Sequence, residues 1–214
     1  MNDSYQHKGL RRNLVEEVRN KGIEDERVLE AIFKVPRHLF MDTGFVKYAY
    51  KDQAFPIGCG QTISQPYTVA FQTQLLDVRK HSKVLEVGTG SGYQTAVLCE
   101  LGAKVYTIER QRELYIKAQS FLQSIGYKAT FFYGDGYEGK PSYGPFDRIL
   151  VTAGAGEIPE KLKSQLKTGG VMVIPVGDSN CQVMTRIVRK GEDEFDFTEH
   201  GRFVFVPLVK GKEG

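Results

Sequence analysis

Lys83-Val84-Leu85-Glu86-Val87-Gly88-Thr89-Gly90-Ser91-Gly92 is the stretch whose reading decides the fold. Val84, Leu85 and Val87 form a short apolar run, as in a strand buried on both faces of a parallel sheet. Gly88, Gly90 and Gly92 follow at every second position. Glycine tolerates positive φ and has no Cβ, so such a loop turns tightly and lets a ligand touch its backbone. From Tyr93 the pattern turns helical, with Ala96, Val97, Leu98 and Leu101 on an apolar side. Strand, glycine loop and helix in that order predict a nucleotide-binding βα turn.

The spacing narrows the ligand. A dinucleotide fingerprint reads G-x-G-x-x-G/A, but after Gly88 and Gly90 the last position is Tyr93, too large for close packing of helix on strand. G-x-G-x-G with Glu86 ahead of it resembles motif I of the S-adenosylmethionine-dependent methyltransferases; the bland alternative is a tight turn in another α/β protein. The next predicted strand, Lys104 to Ile108, runs into Glu109, 17 residues past Gly92. A carboxylate at that strand tip is placed to accept hydrogen bonds from two ribose hydroxyls.

Working outward toward the N-terminus, Pro66 is a good first helical position, and Val69, Ala70, Leu75 and Leu76 give the helix an apolar side. Residues 44–66 ahead of it hold aromatics, prolines and glycines with little periodicity, and a loop this long inside a domain is usually functional. Ser64 lies just outside the helix N-terminus. It is either a plain N-cap or a hydroxyl facing an anion beside free backbone N–H groups. Further upstream, Leu10, Leu14, Val15 and Val18 mark an amphipathic helix ended by Gly22. A second helix starts at Asp25 as N-cap, carries Val28, Ile32 and Val35, and stops at Pro36. These two are expected to cap the sheet's binding edge.

Toward the C-terminus, Leu114, Ala118, Phe121, Leu122 and Ile125 recur at helical spacing before Gly126. Ala129–Tyr133 is a third strand closing on Gly134-Asp135-Gly136, where Asp135 accepts an adenine amino group or simply makes an Asx turn. Phe146–Thr152 is a fourth strand. Ile158, Leu162 and Leu166 suggest a short helix opened by Pro159 and ended by Gly169-Gly170, before a fifth strand from Val171 to Val176. Residues 182–188 and 195–209 read as two further strands joined by a polar turn, an antiparallel addition to a parallel sheet.

The chain has 214 residues, 41% hydrophobic and 26% charged, which suits one α/β domain of an ordinary globular protein. Its expected parts are residues 1–80 (N-terminal helices and substrate loop), 81–177 (cofactor core) and 178–214 (C-terminal strands). A net charge of +3 without Lys/Arg clusters gives no reason to expect a nucleic-acid or membrane partner. The first residues lack the apolar core of a signal peptide, and no run approaches the ~20 apolar residues of a membrane helix. Three scattered cysteines and four scattered histidines predict neither a disulfide framework nor a metal site. The expectation is a cytoplasmic, metal-free protein and a monomer.

Taken together, G-I-E-D-E-R-V-L-E-A-I-F-K-V-P-R-H-L-F from Gly22, P-I-G-C-G-Q-T-I-S-Q-P from Pro56, V-L-E-V-G-T-G-S-G-Y-Q-T-A-V-L from Val84 and G-G-V-M-V-I-P-V-G from Gly169 resemble the protein-L-isoaspartate O-methyltransferases over nearly the whole length. The glycine loop is common to many methyltransferases; the G-Q-T-I-S-Q-P segment is far more specific. The resemblance implies a doubly wound, mostly parallel, seven-stranded Rossmann-like sheet, with S-adenosyl-L-methionine as cofactor and isoaspartyl proteins and peptides as substrates. It implies Ser64 as the active-site residue within a substrate segment Thr62, Ile63 and Ser64. The implied cofactor ligands are Gly88, Thr89, Gly90, Ser91, Gly92, Glu109, Asp135 and Gly136. One departure stands out: many members read V-T-A-A-A after the fourth strand, where Val151–Gly156 reads V-T-A-G-A-G, which puts the rigidity of that turn in question.

The implied reaction moves a methyl group to the free α-carboxylate of L-isoaspartate. A carboxylate of pKa about 3.5 is ionised at neutral pH, so no general base is required and orientation carries the catalysis. Two rivals are a methyltransferase of RNA or a small molecule, and a non-catalytic binding module. The first is expected to show its own acceptor-side motif, and the second to have lost the glycines or Glu109.

Overall fold

The computed structural model describes residues 3–214. In the interior of its sheet lies β3 (Lys83–Val87), whose apolar residues are buried, as are Val105, Tyr106 and Ile108 of its parallel neighbour β4 (Lys104–Glu109). On its other side β3 pairs in parallel with β6 (Phe146–Val151). Burial of side chains such as Leu85 is worth roughly 1.5–3 kcal/mol each, which accounts for the apolar bias of both strands, broken only at buried Glu86 and Thr107. β5 (Ala129–Tyr133) lies outside β4. β7 (Leu166–Gly177), β8 (Gln182–Arg189) and β9 (Phe195–Phe203) extend the other side, giving the order β5-β4-β3-β6-β7-β8-β9. The first five strands pair in parallel, and β8 pairs antiparallel with both β7 and β9. Chain order reverses between β3 and β6, so a crevice opens at their C-terminal ends.

Helices α4 (Tyr93–Glu100), α5 (Arg112–Ser124) and α6 (Glu160–Ser164) follow β3, β4 and β6. The N-terminal part supplies α1 (Tyr5–Asn20), α2 (Glu26–Lys34) and α3 (Pro66–Leu76). α2 packs on α1, α3 and α4 through Val28, Leu29, Ala31 and Ile32, with Asp25 as its N-cap accepting from the Arg27 amide at 2.9 Å.

Three expectations change. The 44–66 loop is not irregular throughout: it holds a 3-10 turn at Val46–Tyr48 and an antiparallel hairpin, β1 (Phe55–Gly58) with β2 (Gln61–Ile63). Gly169-Gly170 does not end a helix. α6 closes at Ser164, Leu166 already pairs with Phe146, and the two glycines form a bulge before Arg148 meets Val171. A Cβ on Gly170 would come within 2.7 Å of the Lys167 carbonyl, so the bulge needs glycine there. The last strand stops at Phe203 rather than at residue 209. Beyond it the chain crosses to the crevice, where Gly154 N–H donates to Val206 O at 2.8 Å and Leu208 N–H to Gly154 O at 2.7 Å.

Candidate active site

The crevice holds a cavity walled by three separate parts of the chain. From the hairpin and α3 come Gln61, Thr62, Ile63, Ser64, Val69 and Gln72. From the sheet ends come Val87 to Ser91, Tyr93, Gln94, Ile108 to Arg110, Gly136, Thr152 and Ala153, and from the C-terminal tail Val206 to Val209. The hydroxyl-bearing segment around Ser64, outside the nucleotide turn in sequence, thus shares one cavity with the glycine loop.

The loop's shape demands its glycines. Gly88 has φ +98° and Gly90 φ +53°, a region that L side chains rarely adopt. Thr152 Oγ1 donates to Gly88 O at 2.7 Å, and its hydroxyl fills the space a Cβ on Gly88 would take. Glu109 is 5% exposed. One carboxylate oxygen accepts the Gly90 N–H at 2.8 Å and the other the Gln111 N–H at 2.9 Å. Each oxygen keeps a lone pair, so the carboxylate both pins the loop and has capacity for two further donors. Beneath the loop, Thr89 and Thr107 share a hydroxyl hydrogen bond at 2.6 Å. Glu86 is fully buried with Thr95 donating to one oxygen; burial raises its carboxyl to about 7, against that hydrogen bond. Glu86 is a support under the site and does not line the cavity.

Ser64 is not the helix cap. Gln65 takes the N-cap position of α3 without a side-chain bond, and Pro66 stands at the first helical position. Asp52 does the capping from a distance: it accepts the Tyr67 N–H at 2.7 Å and is ion-paired to Lys21 at 2.7 Å. Among the described residues nothing hydrogen-bonds the Ser64 hydroxyl, which is left to the cavity.

Asp135 lies outside the cavity wall. Its Oδ1 accepts the Tyr137 N–H at 2.8 Å, an Asx turn, and its Oδ2 accepts the Gly211 N–H at 2.7 Å. Gly136, by contrast, lines the cavity, and a Cβ there would meet Val87 Cγ1 at 2.5 Å. Gly92 is the αL N-cap of α4 and lies behind the wall formed by Gly88, Thr89, Gly90 and Ser91.

Several wall residues carried no signal in the sequence. Gln72 and Gln94 sit inside α3 and α4, where a lone amide carries no positional mark. Arg110 follows Glu109 and turns to the tail, donating through Nε to Gly211 O at 3.2 Å. Val206–Val209 read as strand. The V-T-A-G-A-G turn is tied on both sides: besides the two Gly154 bonds, Ala155 N–H donates to Pro175 O at 2.9 Å and Gly177 N–H to Ala155 O at 2.9 Å. At Gly154 an added Cβ would lie 2.9 Å from Gln182 Cδ, so glycine makes room for a glutamine that accepts the Phe205 N–H at 2.7 Å.

Residues 9–213 match the family model described as protein-L-isoaspartate(D-aspartate) O-methyltransferase (PCMT). A protein-L-isoaspartate O-methyltransferase of Christiangramia forsetii is 61% identical over 99% of this chain and 100% of its own. One from Cytophaga hutchinsonii is 59% identical over 100% and 96%. Among solved structures, a putative protein-L-isoaspartate O-methyltransferase of Plasmodium falciparum in complex with S-adenosyl-L-homocysteine superposes with a TM-score of 0.82 at 25% identity, over 94% of this chain and 99% of that one. A second protein-L-isoaspartate O-methyltransferase gives 0.84 at 28% identity, over 93% of this chain and 66% of that one. A match of this extent in sequence, on a sheet of the same architecture, settles the assignment: the chain belongs to the protein-L-isoaspartate(D-aspartate) O-methyltransferase family.

Proposed function

We propose that this cavity transfers a methyl group from S-adenosyl-L-methionine to the free α-carboxylate of L-isoaspartyl residues in proteins and peptides, and that Ser64 orients the acceptor. The observation that carries the proposal is the meeting of Ser64 with the glycine loop in one cavity. The residues present fit the cofactor. The loop offers backbone without Cβ atoms at Gly88 and Gly90, and Glu109 keeps an open lone pair on each oxygen for ribose hydroxyls. When bound, the cofactor supplies an electrophilic methyl group on a sulfonium.

The chain's own residues orient and enclose. Gly88, Thr89, Gly90 and Ser91 with Glu109 hold the nucleoside side, and Gly136 allows close approach. Gly92 starts α4 behind them, and Asp135, which ties Gly211 of the tail, keeps a lone pair on each oxygen for the adenine amino group. Thr62, Ile63 and Ser64 face the acceptor. A neutral hydroxyl aims the substrate carboxylate without the strong stabilisation an arginine would give, so the anion stays nucleophilic. The wall at Val206–Val209 excludes water. The rival readings lack support: all glycines and Glu109 are present, and no separate acceptor-side motif accompanies them.

The reading extends to one methyltransferase domain over 1–214, acting as a cytoplasmic monomer in the repair of isoaspartyl proteins, with neither nucleic acid nor membrane as partner. Among the described residues no helix is long and apolar enough to cross a membrane. Ser64→Ala tests the central assignment. Affinity for S-adenosylhomocysteine should hold while turnover on an isoaspartyl peptide drops by about 10²-fold, the order expected when reacting groups lose their aim. Unchanged turnover would remove Ser64 from the mechanism.

A further inference from the structure

Two glutamine amides in the cavity wall have acceptor oxygens with no partner. Gln72, on α3, is 1% exposed, and Gln94, in the first turn of α4, is 7% exposed; both line the cavity with Ser64, Gly88 and Gly90. Gln72 Nε2 donates to Val151 O at 3.0 Å and lies 3.6 Å from Met184 Sδ. Gln94 Nε2 donates to Thr73 Oγ1 at 3.0 Å, while the Thr73 hydroxyl itself donates to Val69 O at 2.7 Å. The Thr73 oxygen therefore has only lone pairs to offer, which fixes the Gln94 amide with its nitrogen toward Thr73 and its oxygen turned away. Gln94 Oε1 is buried without a hydrogen bond, and Gln72 Oε1 has no partner among the described residues. A buried acceptor such as Gln94 Oε1 is normally paired, so its vacancy points to a bound donor, with the unpartnered Gln72 Oε1 as a second acceptor on the same wall.

The chemistry of that donor is constrained. A carboxylate or a sulfonium has no proton to give, so the group must carry N–H or O–H. Glu109 already stands ready for the ribose hydroxyls, and the Ser64 hydroxyl for a carboxylate. The same wall carries apolar Ile63, Val69 and Val87 and the hydroxyls of Thr62, Thr89 and Thr152. A peptide amide offers one donor, whereas an ammonium offers three and suits two acceptors on neighbouring helices. We propose that Gln94, together with Gln72, is a positioning pair that receives the α-ammonium of the cofactor's methionyl group. The inference rests on the cofactor reading of this cavity.

The test is calorimetric binding of S-adenosylhomocysteine and of its deaminated analogue, in which a butanoate replaces the amino acid. Wild-type protein should prefer S-adenosylhomocysteine by about ten- to a hundred-fold, the value of hydrogen bonds to a charged group. Gln94→Leu and Gln72→Met should weaken S-adenosylhomocysteine binding while leaving the analogue's affinity unchanged, so that the preference collapses. Equal wild-type affinity for the two ligands overturns the proposal without needing any variant to fold. An equal loss for both ligands in the variants also overturns it, because it marks a packing role. So does intact cofactor affinity with a raised peptide KM, which would give the amides to the substrate. If the wild-type protein binds neither ligand, the cofactor reading itself fails.

Discussion

At the residue scale the site is built from positions where one atom more or less matters. Gly90 sits at φ +53° with its N–H held by Glu109 and Ile57 Cδ1 3.4 Å from where a Cβ would lie. Gly90→Val places a β-branched side chain in that strained backbone and in ligand space. The variant should stay folded, and titration with S-adenosylhomocysteine should show no binding; affinity like that of the wild type would refute the loop's role. Glu109→Gln should weaken cofactor binding by roughly 1.5–3 kcal/mol, the value of a hydrogen bond to a charged group. A fall in melting temperature with unchanged affinity would reduce Glu109 to a brace for Gly90. The glycine loop, Glu109 and Ser64 were legible because backbone freedom, a carboxylate at a strand tip and a hydroxyl at a helix start each leave a mark in sequence. Asp135 was legible only as an alternative between ligand and Asx turn. The structure makes the Asx turn and adds a bond from the Gly211 amide, 76 residues away, which no local pattern signals; each oxygen keeps a lone pair for a ligand.

At the scale of elements, two devices support the loop from outside it. The turn after β6 is one, and Gly154→Ala tests it: a Cβ 2.9 Å from Gln182 Cδ displaces the side chain that holds the Phe205 amide. The loss should be about 1–3 kcal/mol by urea denaturation, and the double variant with Gln182→Ala should lose less than the sum of the two singles. Simple additivity would show that the contact is not shared. The second device is Glu86 on β3. Its folded-state carboxyl titrates near 7 against an ordinary 4.5, because burial disfavours the charge. Between those values the native state holds a proton that the unfolded chain lacks, so stability declines as pH rises from 4.5 through 7. Glu86→Gln should remove that decline and gain on the wild type, from pH 5 to pH 8, by on the order of 2–3 kcal/mol. An equal stability difference at the two pH values would contradict it. Hairpin β1–β2 and the Gly169-Gly170 bulge escaped the sequence pattern for a common reason. Strands of three and four residues hold too few repeats of the two-residue alternation to show it, and a pair of glycines reads alike as a helix stop and as a bulge.

Over the whole molecule, one cavity forms because the chain returns to it three times: through the Ser64 segment, the β3–β6 crevice and the tail at Val206–Val209. The tail is fastened by Gly154, by Asp135 and by a salt bridge from Arg110 to Glu213. Loop composition and the resemblance pointed to the first visit and the strand–glycine–helix pattern to the second, whereas periodicity, which sees only neighbours along the chain, read the third as strand. The arrangement makes a definite demand on substrate geometry. An L-isoaspartyl peptide and its L-aspartyl twin have the same composition and charge. They differ in that the main chain of the former continues through the side-chain carboxyl, which leaves the α-carboxylate free. With Ser64 fixed at the cavity wall, an aspartyl carboxylate hangs one methylene too far out, and small misplacement of reacting atoms is costly. The deciding measurement incubates both peptides with methyl-labelled S-adenosylmethionine and follows ester formation, then volatile methanol as the ester closes to a succinimide. The account predicts label in the isoaspartyl peptide, methanol release after it, and none in the aspartyl twin; comparable labelling of both peptides, or of neither while RNA is labelled, would contradict it.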